Sequence, residues 1–418
     1  MTEASSDPTQ TTPSVAPGLR RRQLLPWLGA AGLAAANPSA FAGMMERSDH
    51  PRPPPAMARY VYVATYTAPA VPPGGTHPSA AQGIYVFRMD PRHGGLTLLQ
   101  VVMASNPSYL ALNSSATRLY SVNENTAGTV SAYAVDPATG KLSFINSASA
   151  NGRDTTHLVV HPSGQFLMAA NYSSGNWPIF RLAADGSIGA KTADFQGVGN
   201  GTGANPARQE APHAHQIIAD LDAQHVFAVD LGADKVNVLN LDLGTGALTA
   251  NGVPFANAAS GSGPRHMAFH PNRQRAYVLH ELTSTIDVCS YDPVRGALVW
   301  LQTISTLPRD FVGANTTAEI RIHPGGRFLY NTNRGHNSIA KFAIDEGDGS
   351  LDSLGWESTG GQWPRGMNID PSGTFLYAAN QNTDNIVVFE VGRDGDLRRT
   401  GAVVNTPTPV DVEFGAPV

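Results

Sequence analysis

Residues 205–218 read NPARQEAPHAHQII. A proline-bearing loop here delivers Arg208, Glu210, His213 and His215 to the start of an apolar stretch. Arginine presents a rigid, planar fork of donors that fits a carboxylate, a phosphate or a developing oxyanion. A neutral histidine can accept a proton near neutral pH. Gathered at one loop-to-strand junction, these groups suit binding or acid–base work on a small anionic ligand.

A repeat positions them. PSYLALNSSATRLYSVNE from Pro107, THLVVHPSGQFLMAANY from Thr156 and HQIIADLDAQHVFAVDLG from His215 share one pattern. So do PRHMAFHPNRQRAYVLHE from Pro264, AEIRIHPGGRFLYNTNR from Ala318 and PRGMNIDPSGTFLYAANQ from Pro364. Each joins a short apolar strand, a turn and a second strand. The second strands close on Asn123, Asn171, Asp230, His280, Asn333 and Asn380, spaced 47 to 59 residues apart. Third and fourth strands follow, as in TVSAYAVDP and KLSFINS. A period near 50 residues with four strands marks a β-propeller blade. At the N-terminal end, RYVYVATYT, QGIYVFRMDP and GLTLLQVVM lack a first strand, and the C-terminal TPVDVEF lacks successors. The pattern predicts an all-β, seven-bladed propeller over residues 59–418. Its ring is closed by the C-terminal strand pairing with the N-terminal strands, which leaves no open edge.

The first strand of each blade lines the central channel. The residues at its mouth are Ser108/Tyr109, Thr156/His157, His215/Gln216, Arg265/His266, Ala318/Glu319, Arg365/Gly366 and Val410/Asp411. Elsewhere these strands are mostly aliphatic, yet the mouth holds three histidines, two arginines and two carboxylates. A merely wet channel needs only Ser, Thr and Asn. Glu124, Glu281 and Arg334 follow the second-strand polar position and can reach the same mouth.

Other polar residues have plainer readings. His161, His270 and His323 precede turn prolines and recur with Asp370, which fits turn capping. Asn123, Asn171, Asn333 and Asn380 fit hydrogen bonds to neighbouring backbone. His336 reads as a loop residue. Cys289 is the single cysteine, so no intrachain disulfide forms. It sits on an alternating strand and reads as a small packing residue. Trp177 and Trp363 lie near turns, where an exposed ring would floor a sugar site or meet a protein partner.

Composition limits the function classes. Charged residues make up 15% and the formal net charge is −5, with 42 Gly and 31 Pro. No Lys/Arg-rich run occurs outside the N-terminus, which argues against nucleic acid as a partner. Residues 1–43 contain Arg21-Arg22, an apolar run to about Ala36 and Ala40-Phe41-Ala42. They read as a twin-arginine-type export signal with the Tat export machinery as partner. Residues 44–58 read as a Pro-rich linker. The expected location is periplasmic or secreted, in a bacterium, with no membrane association after signal removal.

The strings YVATYT, NPSYLAL, HLVVHPSG, NPARQEAPHAH, GPRHMAFHP and ANTTAEIRIHPGGRFLYNTNRGHNSI resemble the 6-phosphogluconolactonase-type lactonase family. That family has seven-bladed propellers and includes the carboxy-muconate lactonizing enzymes. The resemblance spans about Arg59 to Phe414. It implies lactone ring opening, or its reverse, at the channel mouth, with no metal and no other cofactor. By motif, the family's site falls on His157, Arg208, His215, Arg265 and Glu319 as catalytic residues. Glu210, His213, His266, Glu281, Arg334 and Arg365 are the expected substrate-binding set. His157 or Glu319 would activate water, and Arg208 and Arg265 would hold the oxyanion. The substrate is a small lactone or anion. The export-like segment, and His280 where the family more often has Asn, point away from the phosphorylated sugar lactone of the cytosolic enzymes. No G-x-S-x-G elbow is present. A non-enzymatic periplasmic binding propeller and a muconate-type lactonizing enzyme are the competing readings.

Overall fold

The computed structural model describes residues 56–67, 69–199 and 205–418. The proposed export signal and most of the linker lie outside these residues. Seven four-stranded antiparallel sheets account for the strands. The only helix among the described residues is a single 3-10 turn, Gln381–Thr383.

Blade 1 is composite. Its strands run from the channel outward as Pro409–Pro417, Arg59–Thr65, Gly83–Met89 and Leu96–Met103. Val61 pairs with Phe414 and Val63 with Val412, so the two chain ends close the ring as expected. In each other blade the innermost strand comes first in sequence. These strands are Leu110–Leu112, Thr155–Val160, Ala214–Ala219, Pro264–Phe269, Thr316–Ile322 and Pro364–Ile369 for blades 2 to 7.

Burial follows position in the blade. The second strand Phe166–Asn171 is buried throughout, while the outermost Leu248–Asn257 alternates toward solvent. Apolar clusters fill the gaps between blades. One unites Phe227, Val229 and Val236 of blade 4 with Met267, Val278 and Cys289 of blade 5. Cys289 is therefore the buried packing residue its strand position implied.

A tyrosine clamp ties successive blades together. Tyr62, Tyr120, Tyr277, Tyr330 and Tyr377 each stand three residues before the polar end of a second strand. Their hydroxyls donate to Gly140, Gly186, Gly349, Gly395 and Gly94 carbonyls in the next blade, at 2.6–3.1 Å. A buried neutral hydrogen bond contributes about 1 kcal/mol. The acceptor glycines all have positive φ, between 69° and 84°, which a glycine adopts at little cost.

The plainer sequence readings hold. His270, His323 and Asp370 accept backbone N–H groups two residues on, at 2.9–3.1 Å. His161 does the same for Ser163 at 3.2 Å. Asn123, Asn171, Asn333 and Asn380 each donate to a backbone carbonyl just past the outermost strand of the preceding blade, at 2.8–3.1 Å.

Candidate active site

The first strand of a blade starts at the channel mouth, and the antiparallel second strand ends there. Residues from both therefore converge. They line a cavity of about 550 Å³ whose wall includes Thr156, His215 and Arg365 from first strands. The residues at or just past second-strand ends supply Tyr66, Glu124, Tyr172, Glu281 and Arg334. Arg208 reaches in from the loop before blade 4. Ala70, Val71, Pro72, Pro73 and Gly74, in the long loop between the first two N-terminal strands, close one side beside Trp363.

Glu281 is the electrostatic centre. Its Oε1 accepts from Arg208 at 2.7 Å. Its Oε2 accepts from Arg265 Nε at 3.0 Å and pairs with Arg334 at 2.9 Å. Burial alone would raise its pKa, but Arg334, Arg208 and Arg265 outweigh that and hold it far below the usual range. Arg334 also donates to Thr317 O and lies 5.5 Å over the Trp363 ring. Burial presses its guanidinium down to about 9, so it remains charged at neutral pH.

Arg365 differs from the others. It makes no hydrogen bond to protein among the described residues. Its nearest carboxylate is Glu124, at 3.9 Å, and it lies 5.2 Å over the Tyr66 ring. Its side chain lines the cavity.

His215 faces the cavity among these cations. Burial, then Arg265 and His266, hold its imidazole well below its ordinary pKa, so it is neutral at pH 7. Its Nδ1 is buried without a hydrogen-bond partner among the described residues.

The remaining expected site residues lie behind or beneath this surface. Arg265 is buried and props Glu281 from below. A guanidinium only donates, so the Arg265 contact to His266 Nε2 at 3.3 Å makes that nitrogen an acceptor. The other nitrogen, Nδ1–H, then donates to Glu319 Oε1 at 3.1 Å. The His157 ring packs against Tyr109 at 4.3 Å and His266 at 5.5 Å. His157, His266 and Glu319 do not line the cavity. Glu319 also accepts from Ile320 N at 3.1 Å and stands 3.6 Å from Arg321. Burial raises its pKa, yet Arg321 and His266 prevail and bring it to about 2. Such a carboxylate is a poor proton acceptor. His213 stacks on Tyr172 at 4.5 Å and bridges Tyr172 O and Glu210 Oε1. It holds Tyr172, whose hydroxyl accepts from Arg208 at 3.0 Å. Glu210 is the exception to this burial: it is exposed and stands outside the cavity lining.

Tyr66 and Tyr172 were not anticipated. Their signal was present, because they occupy the same repeat position as Glu124, Glu281 and Arg334. Asn106 and Asp154 also share a repeat position, two residues before the mouth residues Ser108 and Thr156 and with positive φ of 42° and 55°, whereas the Ala70–Gly74 wall carries no repeat signal. Trp177 overturns one expectation: it is fully buried and donates to Gln216 O at 3.0 Å, so it floors no site. Among the described residues no three His, Cys, Asp or Glu side chains gather as metal ligands. No helix among them is long and apolar enough to cross a membrane.

This ring of seven blades, with arginines and carboxylates gathered at its mouth, is that of a propeller lactonase. Residues 60–414 match the family model "Lactonase, 7-bladed beta-propeller", and the chain belongs to that family. The 6-phosphogluconolactonase of Bacillus subtilis is 36% identical over 86% of this chain and 99% of its own length. That of Formosa agariphila is 33% identical over 68% of this chain and 81% of its own. The periplasmic gluconolactonase of Pseudomonas aeruginosa superposes with a TM-score of 0.80 at 31% identity. It covers 86% of this chain and all of its own.

Proposed function

We propose that this protein hydrolyses a sugar lactone at the mouth of its central channel. His215 accepts a proton from water as the water attacks the lactone carbonyl. Arg365 and Arg208 receive the oxyanion of the tetrahedral intermediate. The ring C–O bond then breaks, and the leaving ring oxygen takes the proton back from His215. The product is an open hydroxy acid that releases its carboxyl proton to solvent, and its carboxylate faces the same guanidiniums.

The observation that carries this reading is the pairing of an unbonded guanidinium, Arg365, with a neutral imidazole, His215, on one cavity. An imidazolium crowded by Arg265, Arg334 and Arg365 is disfavoured, so it passes its proton on readily. Fixed donors aimed at developing charge contribute more than proton transfer in such reactions. Arg265, His157, His266 and Glu319 act beneath the surface by fixing Glu281, which in turn fixes Arg208 and Arg334. No step is assigned to a metal. The export signal and the periplasmic location are part of the same proposal, supported by the composition of residues 1–43 and by the periplasmic relative.

The test is turnover of δ-gluconolactone by the purified protein, with and without chelator. Arg208→Ala and His215→Ala are each expected to lose roughly 10²–10³ in kcat while staying folded. A loss under tenfold in both would remove these residues from the mechanism.

A further inference from the structure

The cavity wall carries as many carboxylates as guanidiniums. Arg208, Arg334 and Arg365 stand against Glu281, Glu124 and Asp154. The carboxylates are used differently. Both oxygens of Glu281 are filled by arginines. Glu124 accepts from the Tyr66 hydroxyl at 2.8 Å and from Ser108 Oγ at 2.5 Å, both on Oε2. Its Oε1 has no donor among the described residues. Asp154 likewise accepts from Ser173 Oγ on Oδ2 only, at 2.5 Å.

A free carboxylate oxygen next to a free guanidinium suits a hydroxyl, which donates to one and accepts from the other. We infer that Glu124 and Arg365 form a subsite for ring hydroxyls, and that the preferred substrate is an unphosphorylated polyhydroxy lactone. This inference rests on the lactonase reading of the site. A phosphate monoester would bring up to two negative charges against a lining whose three guanidiniums are matched by three carboxylates, while Arg265 beneath it is spent on Glu281. It would also approach the open oxygens of Glu124 and Asp154. Arg365, without a protein hydrogen bond among the described residues, has donors enough for a ring hydroxyl and for the single charge that ring opening creates.

The experiment measures kcat/KM for three probes: δ-gluconolactone, its 6-phosphate, and δ-valerolactone, which has the ring without the hydroxyls. The unaltered protein is expected to favour δ-gluconolactone over its 6-phosphate by tenfold or more. Glu124→Gln keeps the side-chain shape and an acceptor for Tyr66 and Ser108. It is expected to lower the ratio of δ-gluconolactone to δ-valerolactone at least tenfold and to narrow the penalty on the phosphate. Glu124→Asp is expected to restore part of the ratio. Preference for the 6-phosphate overturns the inference, as does an equal loss on the two unphosphorylated lactones. Should Glu124→Gln fail to fold, the phosphate ratio of the unaltered protein still decides. No turnover of any probe overturns the lactonase reading itself, a result distinct from turnover with the wrong preference.

Discussion

Arg208 and Glu281 lie 73 residues apart in sequence and meet at 2.7 Å across the channel mouth. The same carboxylate holds Arg265 and Arg334, so one anion fixes three cations. Glu281→Gln would leave buried guanidiniums facing one another. Breaking a buried pair from one side costs about 3–5 kcal/mol. The lower end applies here, because Arg208 is 39% exposed and its share is screened. Urea unfolding at pH 7 should show the loss, and a change below about 1 kcal/mol would deny Glu281 its central role. The depressed carboxyl also fixes the sign of the pH dependence. Its stabilisation is complete above the unfolded value of 4.5 and is lost as pH falls toward the folded one. The difference between Glu281→Gln and the unaltered protein should therefore shrink in acid.

The pH–activity profile tests the state of His215. Its imidazole is held well below 6.5, first by burial and then by Arg265, His266, Arg365 and Arg334. The acid limb of kcat/KM should have its midpoint well under pH 6.5. Arg365→Met removes one of the opposing charges and should move that midpoint upward, whatever it does to the rate. A midpoint at or above 6.5 in the unaltered protein would assign the base elsewhere.

His157 and His215 separate the surface from its support. His215→Ala should lose 10²–10³ in kcat. His157→Ala empties a site packed by Tyr109 and His266 and should instead cost about 1–3 kcal/mol of stability. Its kcat should stay within tenfold. A reversed ranking, read from steady-state kinetics beside thermal unfolding, would return the base to His157.

Gly74 tests the loop wall. It has a φ of +70°, and a Cβ there would lie 2.5 Å from Trp363 Nε1. Trp363 itself has a φ of 60°. Gly74→Ala should cost about 1 kcal/mol in backbone strain and push the loop or the indole aside. Arg334 loses its seat on that ring, so KM should rise several-fold with a smaller change in kcat. Equal KM values in the two proteins would show that the wall does not touch substrate.

The sequence made the architecture readable because the repeat is physical. A strand pair, a turn and a polar strand end recur in every blade, and the split repeat could only be completed by joining Pro409–Pro417 to Arg59–Thr65. The site was readable to the extent that it uses repeat positions: His215, Arg365, Glu281 and Arg334 all face the cavity. Depth along the channel was not readable. Adjacent first-strand residues alternate in direction, so Thr156 faces the cavity while His157 does not. Whether a residue touches solvent or a neighbour depends on side chains from other blades, as with His266 between Arg265 and Glu319. The Ala70–Gly74 wall belongs to no repeat and had no pattern to betray it.

The joint between Pro409–Pro417 and Arg59–Thr65 also governs how the protein is made. The first blade to leave the ribosome lacks its innermost strand until Pro409–Pro417 has been synthesised. Tyr66 follows one partner of that joint, and Asp411 of the channel lies in the other. A nascent or truncated chain therefore has six blades' worth of sequence and no finished mouth. Activity is therefore expected only once Pro409–Pro417 is in place, so a catalytic assay doubles as a check that this strand has joined the first blade.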